Sequence, residues 1–260
     1  MRVFIVSMPP WAMFAVLFVF FAAVSLGARA LVRRRLDEQE REDASEQAKN
    51  LLTGVAATFA FFVGFAINVT WGAVTAGQVA VEQKAAAIHQ MAWELNNIGD
   101  RPQAAALMDL LRTYAATAAN EDVGVLRRGG ATDLPSAVPL DTFENALHAY
   151  ANGPAAGRWQ TASLVSAATA VSTASAGVEA VANRALPVPL GVLVVVVGAL
   201  ASIVMGVTTV IYARPTLIYV WCIIPALSLA VVLALAYPFA IRSGANLDPL
   251  RTVAQQIAAP

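Results

Sequence analysis

Apolar residues are concentrated in four long stretches that form two pairs, with a more polar segment between the pairs. The first pair covers residues 11–32 and 51–74, and the second covers residues 188–213 and 217–241. A helix needs roughly 20 predominantly apolar residues to cross a bilayer, and each stretch meets that length. The pattern predicts an all-α, polytopic membrane protein with four transmembrane helices.

The same pattern divides the chain into four regions. Residues 1–77 form an N-terminal transmembrane pair, and residues 78–186 form a helical extramembrane insert between spans two and three. Residues 187–241 form a C-terminal transmembrane pair, and residues 242–260 form a tail. We expect a multi-pass protein of the inner (plasma) membrane.

The insert is predicted to be helical almost throughout. Residues 79–98 extend the second span, and Pro102 opens a second helix after an Asp100 N-cap. Asp141 is the predicted N-cap of a short third helix, and a last helix begins near Ala156. Its small and apolar residues recur at heptad-like spacing, which predicts close packing against a neighbouring helix. These seam residues are Leu164, Ala168, Val171, Ser175, Val178 and Ala182.

Small and polar residues recur along the second span at steps that place them on one helical face. One interpretation is close packing of membrane helices, with Asn68 hydrogen-bonding across the contact. The other is a pore lining in an oligomer, with Phe61 and Phe65 as a hydrophobic constriction. Packing is the more common role of such faces. The candidate residues are Gly54, Ala57, Phe61, Gly64, Phe65, Asn68 and Gly72.

The second pair of spans carries packing signals of its own. Gly198, Ser202 and Gly206 form overlapping small-xxx-small units, which predict a close helix contact. Pro225 predicts a kink or a lost backbone hydrogen bond in the fourth span. No charged residue lies at the centre of any span, which argues against a proton-relay transporter or a voltage sensor.

Arginine clustering predicts the orientation of the chain. Three arginines at residues 33–35 directly follow the first span, and the positive-inside rule places them in the cytoplasm. The insert would then lie on the extracytoplasmic side. The bias is modest, because four basic residues flank spans on the opposite side, namely Lys84, Arg184, Arg242 and Arg251.

The first span has a second interpretation. Ala28-Arg29-Ala30 matches the A-x-A pattern of a signal-peptidase site. An uncleaved anchor fits better, because the apolar run is longer than a usual signal h-region and the arginines follow the run instead of preceding it.

Composition and motifs exclude several functional classes. The chain is 58% hydrophobic and 13% charged with zero formal net charge, and nothing in it indicates a nucleic-acid partner. His89 and His148 are far apart and outside any metal-binding motif, and Cys222 is the only cysteine. The sequence therefore predicts no catalytic residue, no cofactor and no metal site, and we do not expect an enzyme.

Several segments together resemble one known family. The span 51–74 leading into residues 81–88 resembles that family's Gly- and Phe-containing span and the acidic helix start after it. Residues 110–114 resemble its Leu-Arg-Tyr helix, while residues 237–239 and 248–250 resemble its Pro-Phe exit and final short helix. Over essentially the whole chain, the sequence resembles the bestrophin-like bacterial membrane family, catalogued as a domain of unknown function. Gln83, Lys84 and Ala86 depart from its acidic and amide-bearing pattern.

The resemblance implies kinship with bestrophins, which are pentameric anion channels with a second helix lining the pore. It favours the pore interpretation of Phe61, Phe65 and Asn68, and it implies a cytosolic insert, opposite to the charge-based orientation. Our leading hypothesis is a homo-oligomeric, passive ion (anion) pathway in the lipid bilayer, lined by the second span. The alternative is a structural or accessory subunit of a membrane or envelope complex without transport activity.

Overall fold

The computed structural model describes residues 8–129, 132, 134–153, 158–184, 187–240 and 244–259. This part of the chain is helical and contains no strand, which confirms the all-α class. The predicted boundaries that lie outside the described residues include the start of the last insert helix near Ala156, the end of the insert at residue 186 and the end of the fourth span at residue 241.

Nine α-helices occur in the described ranges, and a π-helical turn, Ala118–Asp122, joins α3 to α4. Their bounds are α1 Pro10–Arg35, α2 Glu38–Asn96, α3 Arg101–Thr117, α4 Val123–Arg127, α5 Ala137–Ala151, α6 Arg158–Ala182, α7 Val188–Thr208, α8 Thr216–Leu235 and α9 Asp248–Ala258.

The chain forms two compact units. The first contains α1, the part of α2 up to Trp71, α7 and α8. The second contains the part of α2 from Gly72, the helices α3 to α6, and α9. Each unit has an apolar core of its own.

Among the described residues, five helices are long and apolar enough to cross a membrane, namely α1, α2, α6, α7 and α8. Four of them coincide with the predicted spans. The fifth, Thr161–Ala182 of α6, is the least apolar of the five and lies in the predicted insert. The four-span count therefore stays a prediction, while the helical membrane class holds.

Small residues allow close helix packing in the first unit. The Cβ position of Gly198 in α7 lies 3.0 Å from the Phe21 ring of α1 and 3.1 Å from the Phe59 ring of α2. About two turns further along α7, Gly206 lies directly against the backbone carbonyl of Ser25 in α1. Membrane helices approach this closely only where a side chain is missing. The packing predicted for the third span is confirmed.

Two arginines cap the end of α7. The helix ends at Thr208, although the apolar stretch continues to residue 213. Arg33 donates from Nε to the Val210 carbonyl at 3.2 Å and from Nη2 to the Tyr212 carbonyl at 3.0 Å, and Arg29 also donates to Tyr212. Backbone carbonyls after a helix end need such partners, and cationic side chains near that end are favourable.

Pro225 lies inside α8, and the helix continues past it to Leu235. Turns at residues 236–240 follow, since Pro238 cannot continue a helix.

The last insert helix, α6, packs as its spacing predicts. Every residue of the predicted seam is buried in the second unit. Four of the six are apolar residues whose exposed fraction is at most 5%. These four are Leu164, Ala168, Val171 and Val178. The heptad-like pattern is confirmed as the packed face of this helix.

The predicted start of the third insert helix is wrong. The helix α5 begins at Ala137 and not after Asp141, which is exposed. The cause is tertiary, because the backbone N–H and the hydroxyl of Ser136 donate to the buried carboxylate of Asp122 and fix the chain just before Ala137. Pro139 is tolerated there because first-turn N–H groups have no intrahelical acceptor.

Candidate functional site

We refer to the candidate residues of the second span as the small-residue face. All of its members are exposed in the isolated chain, with Phe61 67% and Phe65 54% exposed. A Cβ atom built at Gly54, Gly64 or Gly72 meets no other atom within 4 Å. Its members are Gly54, Ala57, Phe61, Gly64, Phe65, Asn68 and Gly72; Gly72 is the first residue of the second unit.

The opposite side of the same helix faces inward. Phe59, Val63 and Ala66 are buried, and Ala66 is completely inaccessible. They belong to the apolar core that α1, α7 and α8 complete in the first unit. The helix α2 is therefore anchored through one side and presents the small-residue face outward.

The small-residue face is uncharged and weakly polar. Residues 51–81 contain no Asp, Glu, Lys or Arg. The threonine hydroxyls nearby are bonded to the helix itself, since Thr58 donates to the Gly54 carbonyl and Thr75 to the Gly72 carbonyl. The amide of Asn68 is thus the main polar group that this face offers.

A second polar site lies inside the second unit. The Lys84 ammonium of α2 is 3.3 Å from Oδ2 of Asp122, and both side chains are 1% exposed. The same ammonium lies 5.3 Å from the centre of the Tyr114 ring, within range of a cation–π interaction. Ser136 donates its backbone N–H to Oδ1 of Asp122 at 3.0 Å and its hydroxyl to Oδ2. The buried charges are paired and hydrogen-bonded, as burial requires.

The π-helical turn sets the position of Asp122. Asp122 is the last residue of Ala118–Asp122, where the helix carries an extra residue per turn. Side chains after such a turn are rotated relative to a regular helix. Such turns interrupt α-helices mostly at sites with a specific role, and this turn brings a carboxylate to Lys84.

Tyr114 is the titratable group most affected by this environment. Burial raises the pKa of its phenol above the ordinary value, and the nearby Lys84 ammonium and Ser175 hydroxyl partly offset that effect. The phenol therefore stays protonated beside the ion pair.

Metal ligation is not indicated in the described ranges. They hold no group of three or more His, Cys, Asp or Glu side chains suited to a metal ion. His89 and His148 are both exposed, on α2 and α5.

One feature of the sequence points to the buried pair. Lys84 lies on the apolar side of α2, between Val81 and Ile88, which are both fully buried. A lysine at that helical spacing must be enclosed with a partner. The partner could not be identified, because Asp122 reaches it only through the π-helical turn.

Comparison with known families defines the class of this protein. The model of the Bestrophin-like domain matches residues 19–243. The chain therefore belongs to the Bestrophin-like domain family. No curated protein matches the sequence.

Solved structures share the fold. The chain is similar to a point variant of a bacterial bestrophin homologue from Klebsiella pneumoniae, with 12% identity, 96% of each chain covered and a TM-score of 0.68. A second variant of that homologue gives 13% identity, 94% of each chain and a TM-score of 0.64. A structure described as a membrane protein gives 13% identity, 94% of this chain, 96% of the other and a TM-score of 0.67. At such identities the similarity shows the fold alone.

Proposed function

We propose that the chain is the subunit of a homo-oligomeric membrane channel for passive ion flow, with the small-residue face of α2 lining the pore. The observation that carries the proposal is the exposure of every member of this face beside a buried opposite side. A helix anchored in this way can face a central axis when several copies assemble around it. The protein acts as a channel and not as an enzyme.

Phe61 and Phe65 are the proposed constriction. They lie one helical turn apart on the exposed side of α2, so an oligomer would carry two successive rings of aromatic side chains. Apolar constrictions close a pore by excluding water from it. Asn68, one turn further along, supplies amide groups that can replace part of an ion's hydration shell.

Anions are the proposed permeant ions. The family resemblance implies them, and the chain offers no carboxylate between residues 51 and 81. Rings of acidic side chains are the usual basis of cation selectivity. Without such rings, an uncharged pore with amide N–H donors is compatible with chloride.

The test is ion flux through liposomes that contain the purified protein, with chloride compared with potassium. We expect chloride flux in the wild type and a rise of about tenfold or more in Phe61→Ala, because a barrier lowered by about 1.4 kcal/mol raises a rate tenfold. We expect Asn68→Leu to lower the flux. A well-folded oligomer without flux would contradict the proposal and favour an accessory subunit of a membrane complex.

Phe20→Ala is the matched control. Phe20 is an exposed phenylalanine of α1, and it contacts the adjacent Phe21 ring edge-on at 5.2 Å, just as Phe61 contacts Phe62 at 5.4 Å. Equal flux changes in Phe20→Ala and Phe61→Ala would show a general effect of removing a membrane-exposed ring and would contradict the assignment of the pore to α2.

A further inference from the structure

A cavity of about 370 Å³ lies at one end of the first unit, beside the turn that follows α7. This volume falls within the roughly 300–1,000 Å³ of small-molecule sites. Four of its lining residues are charged and two are apolar. They are Arg33, Glu38, Arg41, Glu42, Val210 and Ile211.

Four of the acidic residues at the start of α2 form two pairs with different roles. The backbone N–H of Asp37 donates to the Glu40 carboxylate at 3.0 Å, and the N–H of Glu40 donates to the Asp37 carboxylate at 2.9 Å. This reciprocal arrangement is a capping box, which satisfies the helix start. Glu38 and Glu42 take no part in it. They lie one helical turn apart and line the cavity.

The two arginines of the cavity are held by backbone carbonyls. Arg33 uses Nε and Nη2 for the carbonyls of Val210 and Tyr212, which leaves Nη1 for another acceptor. Arg41 donates from Nη2 to the carbonyl of Arg33 at 2.6 Å, while its buried Nε has no hydrogen-bond partner. The guanidinium groups are therefore held in place, and each keeps N–H donors that can bind a ligand.

The four charges do not neutralise one another directly. Within the described residues, ion pairs join Lys84 to Asp122, Arg112 to Asp109 and Arg251 to Asp248, and none involves the arginines or glutamates of the cavity. Two cations and two anions thus line one space without pairing. A ligand that satisfies both kinds of group carries an anion and a hydrogen-bonding cation a few atoms apart.

We propose that this cavity binds the phosphoethanolamine headgroup of a membrane phospholipid. The phosphate oxygens accept charge-assisted hydrogen bonds from Arg33 and Arg41. The primary ammonium, with three N–H donors, binds Glu38 and Glu42. The phosphate and the ammonium of the headgroup would each contact side chains of opposite charge that form no ion pair within the protein.

The location favours a lipid over a soluble ligand. Arg33 directly follows the apolar stretch 11–32, so the cavity lies at the level where a span leaves the bilayer. The exposed side chains of Ile211 and Tyr212 lie in the adjoining turn. Tyrosine and apolar side chains at this level suit the glycerol and upper acyl region of a lipid.

Headgroup selectivity tests the proposal. Short-chain phosphatidylethanolamine, phosphatidylcholine and phosphatidylglycerol are titrated into the purified full-length protein in detergent, and the rise in Tm gives the half-saturating concentration. Phosphatidylcholine lacks the N–H donors and phosphatidylglycerol lacks the cation. Loss of a hydrogen bond to a charged group typically weakens binding about tenfold or more, and we expect phosphatidylethanolamine to bind more tightly than both by about that factor.

Three variants locate the site. Glu42→Gln should lower the affinity for phosphatidylethanolamine to that for phosphatidylglycerol, and Arg41→Gln should weaken binding of all three lipids. Glu46→Gln is the matched control, because Glu46 is exposed one turn further along α2 and does not line the cavity. If Arg41→Gln fails to fold, Glu42→Gln decides the question alone, since its exposed side chain can be changed without disturbing the core.

Three results would overturn the proposal. The first is equal affinity for the three lipids, and the second is an unchanged preference in Glu42→Gln. The third is stabilisation by soluble phosphoethanolamine or inorganic phosphate as strong as by the lipid, which would identify a free phosphate compound as the ligand.

Discussion

Lys84 lies on the apolar side of α2, and its ammonium is enclosed with the carboxylate of Asp122. Two buried charges stabilise a fold only as long as each compensates the other, because the desolvation of an unpaired charge is not offset by anything else. Ser136 and the Tyr114 ring complete the enclosure. At the residue scale, the second unit depends on this pair more than on any exposed ion pair.

Replacing one partner should therefore be costly and replacing both should not. We expect Lys84→Met to destabilise the protein by about 3–5 kcal/mol, and the double variant Lys84→Met with Asp122→Leu to recover most of that loss. Thermal unfolding of the detergent-solubilised protein measures both.

Arg251→Met is the control for the loss of a lysine or arginine from an ion pair. Arg251 and Asp248 are 3.7 Å apart and largely exposed, so the expected change is at most about 1 kcal/mol. If Lys84→Met and Arg251→Met lowered the stability of the protein by similar amounts, the buried pair would not have the structural importance assigned to it.

The raised pKa of Tyr114 predicts how the stability of the folded protein changes at alkaline pH. Burial raises the pKa of its phenol in the folded protein, so the unfolded chain loses this proton first as the pH rises. The stabilisation that comes from keeping this phenol protonated is complete below about pH 10, and it is lost as the pH rises further. In Tyr114→Phe we expect a shallower fall of Tm between about pH 9 and 11. The same slope in both proteins would show that Tyr114 does not report this linkage.

At the scale of elements, the helices α1 and α7 approach each other very closely at Gly206. A methyl group there would collide with the Ser25 carbonyl, which is backbone and cannot rotate away. We expect Gly206→Ala to destabilise the protein by about 1–3 kcal/mol, the usual effect of overpacking. Thermal unfolding measures the change.

Gly27→Ala serves as the control for this substitution. Gly27 is exposed on α1, and a Cβ atom there meets nothing within 4 Å. Replacing an exposed helical glycine with alanine should stabilise by up to about 1 kcal/mol. A loss in Gly27→Ala as large as in Gly206→Ala would indicate a general effect on helix flexibility.

The elements also show how far sequence reasoning reaches. Periodicity was sufficient for the seam of α6 and for the small-xxx-small packing of α7, because each depends on residues of one helix and their spacing. The start of α5 could not be predicted, since Ser136 is fixed by Asp122 from a distant segment. The π-helical turn that places Asp122 has no sequence signature in this chain. Exposure of the small-residue face in the isolated chain agrees with both interpretations made from the sequence. In an oligomer, this face would either pack against a neighbouring subunit or line a pore.

At the scale of the whole molecule, Gly64→Leu separates those two interpretations. The position is open in the isolated chain, so the subunit should keep its fold. In a pore, the added side chain narrows the pathway, and we expect an intact oligomer with reduced flux. If another subunit packs against this face, the leucine should instead dissociate the oligomer, which size-exclusion chromatography with light scattering would show.

The most direct measurement is block of flux by a charged, water-soluble thiol reagent in Phe61→Cys. The native thiol, Cys222, is fully buried, so the wild type should not respond. We predict that an anionic methanethiosulfonate reagent stops chloride flux through liposomes with Phe61→Cys but leaves flux with Phe20→Cys unchanged. Modification of Phe61→Cys without any effect on flux would contradict a pore lined by α2.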